Sequence, residues 1–384
     1  MMVCRALQHL PKIQDNRSGC GEHSERYCSV KKYIGCDSHA RYSVFVSVDE
    51  TGKASAPVRV DHQARDLRDY LAGLEKGTPV AVEASGGWYW FVDELEAAGL
   101  DARLVNPLEA KKRMGGRNKT DELDARGLAL LLRSGTLPEV WIPPAGLRDL
   151  RGLMRTRLAM RSHTTVLKNR IHAALRRYGT MESTGPADLF TKKNRLLLSV
   201  AIGRLPEETR RPTLHEWELL DVIDRHIGEL EARIRLRIGQ LGWVRLLKSL
   251  PGVGEILGAT IHLEIGEVKR FPTPAHLASY AGLTPRVISS GGKTWHGRTS
   301  AQANHYLRWA FVEAADAVVM HRQTYTGDHV MELYDRLKKH KCHGKAAVAV
   351  ARHLAEASWW ILNKREQYRP PRAHAAVVTS SRNG

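Results

Sequence analysis

No uncharged apolar run in this 384-residue chain approaches the ~18 residues that a membrane span requires. The N-terminus carries no continuous apolar segment ahead of a small-residue cleavage site, which speaks against a secretory signal. Cysteine is scarce and unpatterned: Cys4, Cys20, Cys28, Cys36 and Cys342 are odd in number and lack CxxC spacing. That argues against a disulfide framework and for a reducing cytoplasm. Cys20, His23 and Cys28 have the wrong spacing for zinc. Acid is in short supply as well, with 41 Asp and Glu against 59 Lys and Arg and a net charge of +18. Basic residues spread along the whole chain favour a polyanionic partner, most simply nucleic acid bound by counterion release. What remains, 42% apolar and 26% charged residues, is the composition of a globular protein large enough for two or three domains.

Residues 1–30 are polar and aperiodic and read as a disordered leader. Order begins at Tyr33-Ile34-Gly35-Cys36-Asp37. Tyr42 to Val48 alternates as a half-buried strand does, Glu50 to Lys53 is a turn, and Ala56 to Val60 is a third strand. Residues 61–76 read as a helix with Leu67, Tyr70, Leu71 and Leu74 inward. Val80 to Glu83 is a short buried strand, followed by a helix from Trp88 to Ala98 and a strand from Ala102 to Val105. Three antiparallel strands followed by βαβ units fit a ribonuclease-H-like α/β domain.

In that layout Asp37 ends the first strand and Glu83 the fourth, at the carboxyl edge where α/β ligand sites gather. Thr120 is an N-cap for a helix with Leu123, Leu128, Leu131 and Leu132 on one side. Asp121 and Asp124, three apart, then project from one face of its first turn. Taken alone, that pair is an ordinary acidic helix start. Joined by Asp37 and Glu83, it makes four carboxylates that are costly together without a cation and useful with one, Mg²⁺ in the first instance.

Pro143-Pro144 marks a break. Leu147, Leu150, Met154, Leu158, Leu167, Ile171, Leu175 and Tyr178 trace one stripe of a long helix. Its other faces carry Arg148, Arg151, Arg155, Arg157, Arg161, Lys168, Arg170, Arg176 and Arg177, with no Asp or Glu between Asp149 and Glu182. Such a face tracks phosphates or is merely solvated. Thr213 and Glu216 have capping-box spacing and open a second long helix, with Trp217, Leu220, Ile223, Ile227, Leu230, Ile234 and Leu241 along its seam. The two helices, joined by a loop over residues 179–212, suggest an antiparallel coiled-coil hairpin. Leu250-Pro251-Gly252-Val253-Gly254 resembles the turn of a helix-hairpin-helix module, in which Gly252 and Gly254 offer backbone N–H groups to phosphate. Ser289-Ser290-Gly291-Gly292-Lys293 reads as a flexible loop whose hydroxyls can approach a phosphodiester. Lys293, Arg298 and Arg308 are at hand to neutralise charge. Three helices close the chain, near Ala301 to Met320, Val330 to His340 and Lys345 to Lys364.

From about Tyr33 to Glu366 the chain resembles the DEDD transposases of the "IS one-ten" insertion-sequence class, relatives of the Piv invertase. The motifs that carry the resemblance are Tyr-Ile-Gly-Cys-Asp37, Val-Ala-Val-Glu83-Ala-Ser-Gly, Lys119-Thr-Asp121-Glu-Leu-Asp124-Ala and Leu250-Pro-Gly-Val-Gly254. To these are added Tyr280-Ala-Gly-Leu-Thr-Pro285 and the Ser289-Ser290-Gly291-Gly292 run. The resemblance implies a RuvC-like domain over residues 31–142, a helical coiled-coil linker over 143–245, and a mostly α C-terminal transposase domain over 246–366. A disordered tail over 367–384 completes the expected division. The resemblance also implies that Asp37, Glu83, Asp121 and Asp124 bind Mg²⁺. In the family a C-terminal serine attacks DNA and becomes joined to a 5′ phosphate; it maps to Ser290, with Ser289 the alternative. A structured noncoding guide RNA pairing with donor and target DNA is implied too, as is a homo-oligomer whose active centres take metal and serine from different subunits. Ala303-Asn304 departs from the Gly-Asn of many relatives.

The chain is thus expected to be a site-specific transposase or recombinase of the bacterial cytoplasm, associated with the nucleoid. It would bind DNA through Arg148, Arg151, Arg155, Lys168, Arg170, Arg176, Gly252, Gly254, Lys293, Arg298 and Arg308. The competing readings are a metal-only nuclease of the Holliday-junction resolvase kind and a nucleic-acid-binding protein with a decayed site.

Overall fold

The computed structural model describes residues 32–63, 65–115, 120–180, 188–239, 241–299 and 302–370, and divides at Ile142/Pro143 into two compact units. The expected leader and all but the first residues of the expected tail lie outside the described residues.

The first unit is a mixed α/β layer structure. Its elements are β1 (Lys32–Ser38), β2 (Tyr42–Asp49), β3 (Val58–Asp61), α1 (Asp66–Ala72), β4 (Pro79–Glu83), α2 (Trp88–Ala97), β5 (Asp101–Val105), α3 (Pro107–Met114) and α4 (Asp121–Arg133). The sheet order is β3-β2-β1-β4-β5; the first three strands are antiparallel, and β4 and β5 are parallel to β1. Strand alternation sorts the side chains. Ile34, Cys36, Phe45, Val80, Val82 and Leu104 pack against Leu71, Phe91 and Leu95 on one face. Ala81 and Val105 meet Ala110 and Leu128 on the other, where Val44 and Val46 meet Ala125. Gly35 lets α4 lie directly on β1, since a Cβ there would come within 1.9 Å of the Ala125 carbonyl oxygen. Helix α3 has no counterpart in the hydrophobic pattern: only Ala110 is buried in it. What starts it is local, with Asn106 accepting from the N–H groups of Leu108 and Glu109 and Pro107 in the first turn.

The second unit is mostly helical. It comprises α5 (Ala145–Arg177), α6 (Arg195–Gly203), α7 (Glu207–Ile234), α8 (Gly242–Leu247), α9 (Glu255–Ile265), α10 (Pro274–Tyr280), the hairpin β6 (Pro285–Ser290) and β7 (Lys293–Thr299), then α11 (His305–Met320), α12 (His329–Lys338) and α13 (His343–Lys364). The pairs Arg157–Glu231, Arg161–Asp224 and Arg170–Glu216 show α5 and α7 running antiparallel as an arm. Thr213, Leu220, Ile227 and Ile234 are buried at seven-residue spacing, the repeat of a coiled-coil seam. Leu241, expected on that seam, is 38% exposed.

The expected capping box at Thr213 and Glu216 is corrected. The helix already opens at Glu207 and runs through Pro212, and the Thr213 hydroxyl donates to the Thr209 carbonyl inside it. The proline sits in the second turn, so it removes one early ladder bond and leaves the rest of the helix intact. The expected loop between the long helices contains α6, whose Leu198, Ala201 and Ile202 pack on Ile171 and Leu175. The root of the arm is continuous with the body that follows: Met154 shares a core with Ile234, Ile238, Val244, Ala259 and Leu263.

The Pro251–Gly254 turn is also reassigned at one position. Gly252 has φ +75°, and a Cβ there would lie 2.1 Å from the Ala314 carbonyl oxygen. Its N–H donates to the Tyr325 hydroxyl at 3.0 Å, so this glycine serves helix packing and its donor is not offered to phosphate. Gly254 is the N-cap of α9, with open space beside its Cα.

Candidate active site

Asp37 and Gly35 share the face of β1 that α4 covers. Because Cys36 registers with Val82 in the parallel β1–β4 pair, the next step sets Glu83 beside Asp37 on that same face, in line with Ala81. Helix α4 approaches with its N-terminus at this edge. Thr120 caps it, accepting from the Leu123 N–H at 3.2 Å. Asp121 and Asp124 lie one turn before Ala125 and Leu128, the residues α4 buries against the sheet, so all four share one side of the helix.

The side-chain atoms converge most closely at three residues. His39 Nε2 is 3.3 Å from Asp37 Oδ2 and 3.2 Å from Asp121 Oδ2, and ligand atoms of the three all lie within 4.8 Å of one another. The Tyr42 hydroxyl donates to the same Asp121 oxygen at 2.9 Å, which raises the pKa of the phenol. Glu83 and Asp124 are on the correct face, but among the described residues they do not bring an oxygen into this close group.

His39 Nε2 is buried and, among the described residues, makes no aligned hydrogen bond despite its two carboxylate neighbours. An octahedral cation with bonds of about 2.1 Å at right angles holds neighbouring ligand atoms about 3 Å apart. The spacing and the donor set therefore fit a divalent cation, with an imidazole nitrogen beside the carboxylates. Hydrophobic periodicity does not mark His39. The available sign is its position two residues after Asp37, where strand alternation returns the chain to the same side.

The expected nucleic-acid contacts divide. Arg148 and Arg151 are 4% and 5% exposed and are removed from the solvent-facing stripe. Arg151 donates to the carbonyls of Leu263 and Glu264 at 2.7 and 3.0 Å, and Arg155 grips the Glu264 carboxylate with two bonds of 2.8 Å. Arg148 and Arg151 belong to the interior of the second unit, and Arg155, a third exposed, is committed to Glu264. Lys168 lies 5.1 Å over the Phe190 ring, while Arg170, beside Glu216, and Arg176 are exposed. Arg308 is half-buried on α11 and Lys293 is exposed. The Arg298 side chain lies outside the described residues.

Residues 285–299 form a tight hairpin where a flexible loop was expected. Ser290 pairs with Lys293 across Gly291 and Gly292, whose φ values of +55° and +74° suit a type I′ turn. All of β6 is exposed. Alternation turns Ser289 and Ser290 to opposite faces, and the Ser289 hydroxyl lies 3.3 Å from that of Thr294. Ser290 stands last before the turn, at the tip.

A family model of the DEDD class described as "Transposase" matches residues 34–180, and one described as "Transposase IS116/IS110/IS902 family" matches residues 244–330. The chain is 26% identical over 338 residues to the transposase for insertion sequence element IS1111A of Coxiella burnetii, covering 88% of this chain and 91% of that protein. It is 24% identical to a probable family 20 transposase of Pseudomonas aeruginosa, covering 79% of this chain and 89% of the relative. An uncharacterized protein of insertion element IS110 from Streptomyces coelicolor is 34% identical over 127 residues, 32% of this chain and 29% of its own length.

Proposed function

The chain belongs to the IS110/IS116/IS902 family of insertion-sequence transposases, and from that premise we propose a Mg²⁺-dependent recombinase that exchanges strands through a covalent phosphoserine. The observation that carries this reading is the meeting of Asp37 and Asp121, far apart in sequence, around His39 at one end of the sheet. In the proposal the first unit is a RuvC-like, ribonuclease-H-like domain, a reading that the sheet order and the edge position of the acids support. Asp37, Glu83, Asp121 and Asp124 hold the metal, with His39 beside them. The cation, when bound, polarises the scissile phosphate and offsets its developing charge.

Ser290 is the nucleophile. Its Oγ forms a bond to phosphorus as the bond from phosphorus to the 3′ oxygen breaks. The proton that the serine gives up balances the one the departing 3′ hydroxyl takes on. The linkage conserves phosphodiester energy, so a second strand's 3′ hydroxyl reseals the backbone by the reverse step. Ser289 is the weaker candidate, since its hydroxyl already faces Thr294. Lys293, Arg298 and Arg308 supply positive charge, and Arg170 and Arg176 on the arm together with Lys168 bind backbone phosphates. Few base-reading motifs and a charge of +18 suit a protein that leaves sequence choice to a structured guide RNA pairing with donor and target DNA. A homo-oligomer working on the bacterial nucleoid completes the reading.

Ser290→Ala is the direct test. With element-end DNA, Mg²⁺ and RNA transcribed from the sequence flanking the gene, the parent should yield a protein–DNA adduct that survives denaturing gels, and the variant none. Cleavage to free ends with no adduct in the parent would identify a metal-only nuclease of the resolvase kind and overturn the serine mechanism.

A further inference from the structure

A buried carboxylate closes the root of the serine hairpin. Glu264, in the last turn of α9, has a side chain only 1% exposed. Its two oxygens take Nε and Nη2 of Arg155 at 2.8 Å each, and Oε2 also accepts from Asn304 Nδ2 at 2.8 Å. Burial opposes ionisation of this carboxyl, but the bonds from Arg155 and Asn304 hold its pKa below the usual value.

Asn304 is itself fully committed. Its Oδ1 caps α11, accepting from the N–H groups of Tyr306 and Leu307 at 3.1 and 3.0 Å, and its own N–H donates to the Tyr280 carbonyl at 2.8 Å. Tyr280 ends α10 just before the chain enters β6, and Asn304 lies just after the chain leaves β7. The two ends of the serine-bearing excursion are therefore bonded to each other and, through Asn304, to Glu264. Arg155 comes from the arm helix α5, and its guanidinium also lies 4.6 Å over the Tyr306 ring.

Packing does not orient this hairpin along its length, because every residue of β6 is exposed. A two-stranded ribbon is marginal on its own, so its direction is set where it is rooted. A buried ion pair, for its part, adds little stability over apolar groups of the same volume, while fixing geometry closely. We propose that Glu264 is a positioning residue for Ser290: the clasp of Arg155, Glu264 and Asn304 aims the hairpin and ties its direction to the arm. The serine's placement then follows the register of α5, so a shift of the arm on nucleic acid re-aims the nucleophile. This inference rests on the serine reading above.

The test uses the full chain and replaces the pair by apolar residues of similar length, Arg155→Met with Glu264→Met; Arg151, whose Nε lies 3.9 Å from the same carboxylate, keeps its bonds to the Leu263 and Glu264 carbonyls. The melting temperature should stay within a few degrees of the parent and DNA affinity should be unchanged. Adduct formation at saturating DNA should slow by a factor of ten or more. Amide exchange in residues 285–299 should quicken by a similar factor, while that of α13 stays as it was. Unchanged adduct rate and hairpin exchange in a folded variant would overturn the proposal. Should the double variant fail to fold, Asn304→Ser decides by the same two readouts: it keeps a capping oxygen and loses the amide that reaches Glu264. A parent that forms no adduct would sink the serine chemistry alone, and hairpin exchange would still decide whether the clasp aims the hairpin.

Discussion

The acids and the serine are mounted in opposite ways. Asp37 is 14% exposed at the end of a strand whose Ile34, Gly35 and Cys36 are buried, and α4 lies against that strand at backbone distance. Ser290 stands at the tip of a hairpin whose first strand is exposed throughout and which meets the body at its root. In the proposed reading the contrast follows from the chemistry each would do. A cation site is defined by distances between oxygens, which only a packed frame holds to a fraction of an ångström. A nucleophile that becomes joined to a DNA strand has to be carried to it and away, and segments with few buried contacts are the ones that open at low cost.

Asp121→Asn should break the comparison most severely from the acid side. It keeps the helix start and the shape while removing one of two carboxylates that share His39, so strand cleavage should fall by about 10³-fold or more. The upward shift of the thermal transition on adding Mg²⁺ or Mn²⁺ should vanish with it. Nucleic-acid binding should persist, because it depends on cationic residues elsewhere. A variant that keeps the metal-induced shift and full cleavage would remove Asp121 from the site. By contrast, Val287→Ser or Ile288→Ser, on the exposed strand beside the serines, should leave the melting temperature unchanged within a degree or two.

Two glycine substitutions sharpen the difference in energetic terms. At Gly35 a Cβ would stand 1.9 Å from the Ala125 carbonyl oxygen and 2.6 Å from the Ala129 nitrogen, both backbone atoms of α4. Gly35→Ala must push the helix off the strand, at about 3 kcal/mol or more in denaturant titration, and must spoil metal binding as well because α4 carries Asp121. At Gly291 nothing lies within 4 Å, and only the positive φ is at stake. Gly291→Ala should cost about 1 kcal/mol of local order, read as faster exchange at the hairpin tip. Equal effects at the two sites would mean that the hairpin is as firmly held as the sheet.

The same contrast explains what could be read from the chain and what could not. That Asp37, Glu83, Asp121 and Asp124 lie toward one face was legible because strand alternation, a parallel register and a threonine cap are all local rules; that among the described residues only Asp37 and Asp121 come close, around His39, was not. His39 escaped, since a lone histidine after an acid carries no period. Arg151 and Arg155 misled for a related reason: a row of arginines on a helix reads as a solvated face, and the buried carboxylate that claims Arg155 lies 109 residues away. Gly252 looked like a phosphate-binding glycine because its turn chemistry was visible while Tyr325 and Ala314, which occupy its donor and its open side, were not. The serine run was read as a loose loop, although two successive glycines between short β-prone segments are also the sign of a tight hairpin turn.

The smallest effect expected lies in the packed body of the second unit, and it separates that body from its hairpin by pH. His262 is held among the side chains around α9, its ring stacked at 6.5 Å from that of Trp243, and burial pushes its pKa down to about 4. The folded state thus keeps the imidazole neutral, whereas the unfolded chain takes up a proton near the ordinary value of about 6.5. Its contribution is complete above that value and is lost as the pH falls from about 6.5 toward 4, by about 2 to 3 kcal/mol in all. His262→Gln should flatten this part of the stability profile. A further decline below the usual carboxylate range should survive the substitution, because Glu264, whose carboxyl is held low by Arg155 and Asn304, loses its bonds only when it is protonated there. Hairpin amide exchange, corrected for the intrinsic rate, should stay flat between pH 6.5 and 5 while the body weakens, since the root bond from Asn304 to Glu264 needs only that carboxylate to remain ionised. A hairpin that loosened in step with His262 would mean that its direction depends on the whole body of the second unit and not on the clasp at its root.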